Sequence, residues 1–452
     1  MPTVPRCALV LTAVGGLAAA DLVVPAPVVV GNQHRYPTGH QSGLQGGAVM
    51  AQISGAESAW TNPAGLVVDG GLPASASANL YSFDLFRVSG AQDKYSNWEA
   101  QVIPSAISGS FAIPTLPSRE WRAAVFLVQP QLWKNEVVFH RQEFLSGQFS
   151  EALSESDGAV ETLCPGLAVA HRLGDRWRVG VEIHVAYFSY RVQTTNTSRS
   201  WRQPGTFELG SASQVARLGF YHLVGTVGVQ GQLGGGWTMG ATVRPPGLQV
   251  WQFGRLDSSV VAESGNYQYS SLAFDDSPRL HYRQPAEITL GASYAVERWG
   301  AEADLRIRPS AGSYRVAQAG HYGLATLTQR TTGITLLEPT TPLALDTAAA
   351  AGLGVSMGSW VRFKPTVIGH CGWWYDPSPV EGSGDDLFSP ISLYGASLGL
   401  SYVRDDFSLS LGLLGSWGRA RDVKVFSGAA SPTGSTLEVL GLGATISTSM
   451  SL

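Results

Sequence analysis

The chain is 452 residues long, with a formal net charge of −4, 53 glycines, 13 tryptophans and only 14% charged residues. Its 44% hydrophobic content excludes disorder and a collagen-like repeat, and its mild acidity argues against nucleic-acid binding, which needs a basic face. One of the three cysteines lies in a leader; Cys164 and Cys371 are too few for a disulfide framework or a zinc knuckle.

Residues 1–20 read as a secretory signal. Arg6 supplies the positive start, Cys7–Ala20 the apolar run, and Ala18-Ala19-Ala20 an A-x-A cleavage site. The alternative is an uncleaved membrane anchor, because a second apolar patch follows at Leu22–Val30. No later stretch approaches the roughly 20 apolar residues of a spanning helix. Export leaves periplasm, outer membrane or exterior as destinations.

Residues 21–73 form a segment apart, rich in glycine, alanine and serine from about residue 31 and poor in alternation. It contains Asn62-Pro63-Ala64-Gly65. Pro63 has a fixed φ and no N–H and biases Asn62 away from helix. Asn62 can bond to nearby backbone as in an Asx-turn, and Gly65 permits close approach. The motif is either an anchor for a plug or an ordinary surface turn.

From residue 74 to 452 the pattern has period two. Trp177, Val179, Val181, Ile183 and Val185 share one face; Arg178, Gly180, Glu182 and His184 share the other. Trp299–Ile307 alternates with Glu302, Asp304, Arg306 and Arg308, and the last segment does the same from Leu440. Such segments are strands with one apolar and one small or polar face. About fourteen are expected: 74–89, 104–114, 120–140, 160–173, 176–195, 214–232, 236–252, 280–296, 299–315, 345–358, 361–375, 390–403, 406–421 and 436–452. Their connections alternate. Short ones are expected at 116–120, 173–176, 233–236, 297–300, 358–359 and 404–406, with long ones between. Short turns on one rim and long loops on the other are the mark of a transmembrane antiparallel β-barrel. An aromatic follows each short turn (Trp121, Trp177, Trp237, Trp299, Trp360, Phe407), as at a membrane interface; buried core aromatics of a soluble β protein are the alternative. Trp360 breaks the rule, since it falls in line with Arg362 and Lys364.

The fold class is therefore all-β, a barrel with a small N-terminal plug in its lumen. The polar lining of that lumen comprises Arg178, Glu182, His184, Glu302, Asp304, Arg306 and Arg308. These either brace the wall through salt bridges or meet a substrate. Gly354-Val355-Ser356-Met357-Gly358 matches G-x-S-x-G but lacks the strand–turn–helix setting of a nucleophile. Asp275-Asp276 and Asp385-Asp386 read as solvated loop carboxylates, with binding of calcium or lipopolysaccharide-associated cations as the alternative, and the nine histidines show no metal spacing. No enzyme activity, metal or cofactor is expected.

Ser42-Gly43-Leu44, the small-residue run after it, Asn62-Pro63-Ala64-Gly65 and the later Asp376-Pro377-Ser378-Pro379 together resemble the FadL/TodX family of outer-membrane transporters for long-chain fatty acids and other hydrophobic compounds. The resemblance covers the mature chain in order and length. It implies passive uptake of a hydrophobic small molecule into an apolar pocket, a shift of the plug, and sideways exit through a gap at a kink in the third strand. Pro130 lies in that strand here, bordered by Phe126, Val128, Leu132 and Trp133. A proline belongs at edges or bulges, so Pro130 marks either the gate or the point where the strand leaves the membrane. The implied partners are outer-membrane lipid and the barrel-assembly machinery. A structural or secretion-associated barrel that docks other proteins is the alternative role. Two features depart from the family: the chain ends Ser-Met-Ser-Leu rather than in an aromatic, and the loops at 253–279 and 316–344 lack an amphipathic helical run.

Overall fold

The computed structural model describes residues 24–25, 29–32, 37–68, 73–89, 94–113, 116, 120–145, 148–202, 206–320, 323–339, 343–382, 387–421, 426–427 and 436–450. The leader and Asp385-Asp386 lie outside these residues.

Alternating side chains let one wall face an apolar exterior and a polar interior, and the strands close into an antiparallel barrel of fourteen. The first six are continuous: β1 (Ala74–Ser89), β2 (Lys94–Ala112), β3 (Trp121–Leu145), β4 (Gln148–Leu173), β5 (Trp177–Arg202) and β6 (Thr206–Gly234). The next four are each broken into two arms: β7 (Trp237–Arg244 and Leu248–Ser264), β8 (Tyr267–Asp275 and Glu287–Ala295), β9 (Trp299–Arg308 and Leu324–Gln329) and β10 (Ile334–Pro339 and Gly352–Lys364). β11 (Val367–Asp376), β12 (Leu393–Arg404), β13 (Phe407–Arg421) and β14 (Thr436–Met450) complete the wall. β14 closes on β1 from Ala74↔Met450 to Ser89↔Thr436. The breaks in β8, β9 and β10 release Arg279–Leu280, Gly312–Gln318 and Ala344–Ala349, which pair into a separate three-stranded sheet.

Two expectations are corrected. Much of what the sequence assigns to long loops is wall: β3 and β4 pair out to Leu145↔Gln148, and β5 and β6 out to Arg202↔Thr206. Above a membrane both faces of a strand can meet water, so the apolar alternation that reveals a strand is not required there. The turn at 358–359 is also misplaced. Gly358 and Ser359 sit within β10, paired to Gly372 and Cys371, and the chain turns at Pro365–Thr366. Gly358 is small because the plug lies against it: a Cβ there would stand 2.6 Å from the Gln45 carbonyl oxygen. Trp360 accordingly points inward and donates Nε1–H to Gln52 Oε1 at 3.3 Å.

Two aromatic rings encircle the outer wall. Trp177, Trp237 and Trp299 are exposed at the short-turn end, where Tyr294 packs against Trp237 at 5.2 Å and Trp299 at 5.5 Å. Higher up, Tyr187, Tyr221 and Trp251 stack at 4.9 and 5.6 Å, and Tyr375, Tyr394 and Trp417 at 4.9 and 5.9 Å. Trp177 and Tyr187 on β5 are roughly 25 Å apart along the barrel axis, allowing about 3.3 Å per residue and a tilt near 40°. That is the height of the apolar band of an outer-membrane barrel. The outward side chains between the rings, Val181 and Ile183 among them, are apolar and exposed.

The plug is built from α1 (His40–Leu44), α2 (Ser58–Thr61) and a 3₁₀ turn (Pro63–Val67). It touches the wall backbone to backbone, at inward glycines. A Cβ on Gly180 would meet the Pro63 carbonyl carbon at 2.4 Å, on Gly240 the Met50 oxygen at 2.2 Å, and on Gly372 the Gln45 carbon at 2.2 Å. We expect Gly240→Val to keep the heat-modifiable migration of a closed barrel while raising ionic conductance in planar bilayers several-fold, because the plug loses its seat. Unchanged conductance would refute that contact as a determinant of docking.

Candidate functional site

The site is a seam in the wall. The ladder between β2 and β3 runs only from Ala112↔Arg122 to Ala106↔Val128 among the described residues, whereas β3 and β4 pair to the tips of both strands. Continuing the register beyond Ala106↔Val128 would set Pro104 opposite Pro130. Neither has an N–H, so neither can extend the ladder. On its other edge β3 bulges at the same point: Val128 faces Cys164 but Gln131 faces Thr162, leaving Gln129 and Pro130 against a single residue. The bulge also exchanges the faces of β3. Phe126 and Val128 below it and Gln131 and Trp133 above it all point inward and are buried, while Leu132 is half-buried on the opposite face.

Below the seam, Phe126 and Val128 pack on the plug with Ala59, Leu66 and Val67, and Trp60 lies 5.9 Å from Phe126, edge to face. The plug's polar atoms are held by the wall. Asp304 Oδ2 accepts from Val49 N at 2.9 Å and Met50 N at 3.1 Å, and Glu302 Oε1 accepts from Ala51 N. Gln230 Nε2 donates to the Met50 and Ile53 carbonyls at 3.2 and 3.1 Å. Asn62 bridges both sides: Oδ1 accepts from Ala64 N at 3.3 Å, and Nδ2 donates to Met50 O at 2.9 Å and Val229 O at 3.2 Å.

Level with the seam runs a polar belt. His184 and Glu182 on β5 bond at 3.0 Å, Thr226 on β6 donates to Glu182, and Arg244 on β7 donates to Thr226 at 3.1 Å while lying 4.9 Å over the Trp60 ring. Glu287 on β8 stands 3.9 Å from Arg244 and 3.8 Å from Arg306 on β9. A cavity of about 90 Å³ separates this belt from the plug; Pro130, Thr162, Cys164, Arg244, Glu287 and Arg306 line it on the wall side, Pro37, Met50 and Trp60 on the plug side.

Above the seam the lumen is filled by an apolar cluster, beyond which buried polar residues such as Asn135, Thr194 and Asn196 line the wall. Phe188 stacks on Tyr282 at 4.5 Å, and Phe220, Tyr190, Trp133 and Phe86 join them. Three parts of the chain occupy the space they enclose: Val29–Val30, the inner sheet through Val316 and Ala317, and Leu387–Phe388 with Ile391. Arg308 ties this assembly down. It pairs with Asp376 at 3.2 Å and donates to Pro377 O at 3.0 Å, and Asn32 Nδ2 donates to the Asp376 and Pro377 carbonyls.

All seven lumen residues named from the sequence face inward. Glu302 and Asp304 hold the plug, Glu182, His184 and Arg306 belong to the belt, Arg308 anchors the upper core, and Arg178 is buried low on β5. Asn62, Pro63 and Ala64 touch β5 and β6, whereas Gly65 lies against Ile53 and Ser58 within the plug. Ser356 lies in mid-strand, without the turn of a nucleophile elbow. Sequence reasoning missed Pro104, whose signal was a second proline at the adjoining strand's edge. It also missed Phe86, Gln230 and Glu57, for which period-two patterning carries no signal.

Glu57 binds the start of α1, accepting from Gln41 N at 2.9 and 3.0 Å and Ser42 N at 3.1 Å. Burial pushes its carboxyl up to about 7 against the opposing pull of those N–H groups, and burial pushes His40 down to about 4. The signs oppose. Docked Glu57 binds its proton more tightly than undocked Glu57, so its contribution grows as pH falls through about 7 and levels off below its free value of 4.5. Docked His40 resists its proton, so its contribution shrinks as pH falls below its free value of 6.5 toward about 4. The contributions of these two residues to plug docking therefore offset one another between about pH 5 and pH 7, and their balance is read by comparing hydrogen-exchange protection of the plug amides in the unmodified chain and in Glu57→Gln. Relative to the unmodified chain, Glu57→Gln should lose protection as pH falls through this range; parallel profiles in the two proteins would refute the assignment.

No protein-family description matches the chain, and no curated protein matches it in sequence. Solved structures do. The toluene transporter TodX of Pseudomonas putida aligns at a TM-score of 0.54 and 12% identity, over 92% of this chain and 99% of that one. A Pseudomonas aeruginosa FadL homologue gives the same values. The CymD monoaromatic hydrocarbon channel gives 0.51 and 13%, over 92% and 97%. At such identities the likeness is one of architecture: the chain has the barrel fold of these channels along almost its whole length.

Proposed function

We propose that the chain is an outer-membrane channel for passive uptake of hydrophobic molecules, such as long-chain fatty acids, and that its cargo leaves sideways through the seam at Pro130. The observation that carries this reading is the interruption of the β2–β3 ladder at Pro104 and Pro130, at the boundary between an apolar upper lumen and a polar belt. Burial contributes roughly 0.8 kcal/mol per CH₂, so an acyl chain resists the ions of the belt and the seated plug beneath it. The seam leads from the apolar region to the bilayer without that crossing. Entry into the upper lumen requires Phe388 and Val29–Val30 to yield their places. The two aromatic rings support a site in the outer membrane among its lipids, reached through the barrel-assembly machinery.

One observation favours the second reading, a barrel that docks other proteins without transport: the upper lumen is occupied by the chain itself. The two readings separate in one experiment. The double variant Pro104→Val/Pro130→Val restores both N–H groups and lets the ladder continue. It should lower uptake of labelled palmitate at least tenfold, with unchanged heat-modifiable migration. Palmitate uptake no greater than in cells lacking the chain would favour the docking role, and undiminished uptake by the double variant would exclude the seam as the exit.

A further inference from the structure

Two hydrogen-bond donors just above the bulge are buried and have no acceptor among the described residues. Gln131 and Trp133 are successive inward side chains of β3, 6% and 2% exposed. Gln131 Oε1 accepts from Thr162 Oγ1 at 3.2 Å. Its Nε2 has no acceptor among the described residues, and neither does Trp133 Nε1. Both side chains are firmly placed. The Trp133 ring stands edge-on to Phe86 at 5.9 Å and 88°, and it lies over Gly158, where a Cβ would come within 3.2 Å of it. Thr162, the partner of Gln131, lines the cavity together with Pro130.

Leaving a buried donor unmatched is costly, and a buried indole N–H ordinarily has a partner. Phenylalanine and methionine would fill much the same space without that cost. Two such donors stand at adjacent inward positions of β3, next to the bulge at Pro130. They sit roughly 7 Å apart along the strand, so an oxygen leaving one can be received by the other.

We propose that Gln131 and Trp133 form an acceptor-binding step at the seam, and that the molecules passing it are apolar chains bearing a carbonyl, carboxylate, ester or ether oxygen in preference to plain hydrocarbons. This rests on the transport reading and names the substrate class within it. The donors recognise oxygen and the surrounding rings recognise the chain. A hydrocarbon crossing the same point separates the rings and leaves both donors unmatched throughout.

The test compares two probes of equal chain length, labelled 2-tridecanone and tridecane, in double-membrane host cells with and without the full chain. Initial uptake attributable to the chain should favour the ketone about tenfold, equivalent to about 1.4 kcal/mol. Trp133→Phe and Gln131→Met should each reduce that ratio several-fold, with the heat-modifiable band reporting correct folding. Equal uptake of the two probes by the unmodified chain overturns the proposal and leaves the transport reading intact. So does a preference that survives in both variants. Uptake of neither probe above the chain-free cells overturns the transport reading and this step with it. If either variant fails to fold, the ratio in the unmodified chain still decides.

Discussion

The close approach of two backbones governs the rest of this structure. The plug lies against a wall whose inward positions at its own height include Gly180, Gly240, Gly358 and Gly372, so at those points main chain meets main chain without intervening side chains. Contact at that distance leaves peptide groups to be satisfied across the boundary. Asp304 and Glu302 accept the N–H groups of Val49, Met50 and Ala51, while Gln230 and Asn62 donate to the carbonyls of Met50 and Ile53 or Val229. A buried peptide group without a partner would cost as much as a lost hydrogen bond, so glycines and polar side chains act together.

That seat divides the lumen. At the seat the plug's peptide groups are bonded to the wall; above it an apolar cluster is filled in part by segments that belong to no barrel strand. Between them the belt from Glu182 to Arg306 pairs its charges across five strands. A buried ion is tolerated when paired and hydrogen-bonded, and a belt of such pairs is a poor neighbour for a hydrocarbon chain. The geometry thus sets a floor beneath the upper lumen, and the seam opens in the wall at the level of that floor.

Much of this was legible in the residues. Period two revealed the strands wherever one face met lipid, and it failed above the upper aromatic ring, where β3 to β6 continue with polar residues on both faces. The inward direction of Glu302 and Asp304 followed from parity with Trp299; their bond to the plug did not, because nothing in a strand's pattern names its partner. Gly358 was misread as a turn residue for a related reason. Glycine serves a tight turn and a close approach equally well, and only the neighbouring Gln45 distinguishes them. Pro130 stood out within its strand, but the seam needs Pro104 as well, and that pairing appears only when the register is known.

The unequal pairing of β2 with β3 has a mechanical consequence. Around the lower barrel every strand is bonded to two neighbours, so the hoop is continuous and its circumference is set by its hydrogen bonds. Above Val128 the hoop is cut. Among the described residues the tube there is open along the β2–β3 edge, where the β1–β2 hairpin is held only through β14, and again beside Ile334–Pro339 of β10, which pairs only with β9. A tube open in this way above a closed ring can change its bore while the ring beneath it keeps its circumference.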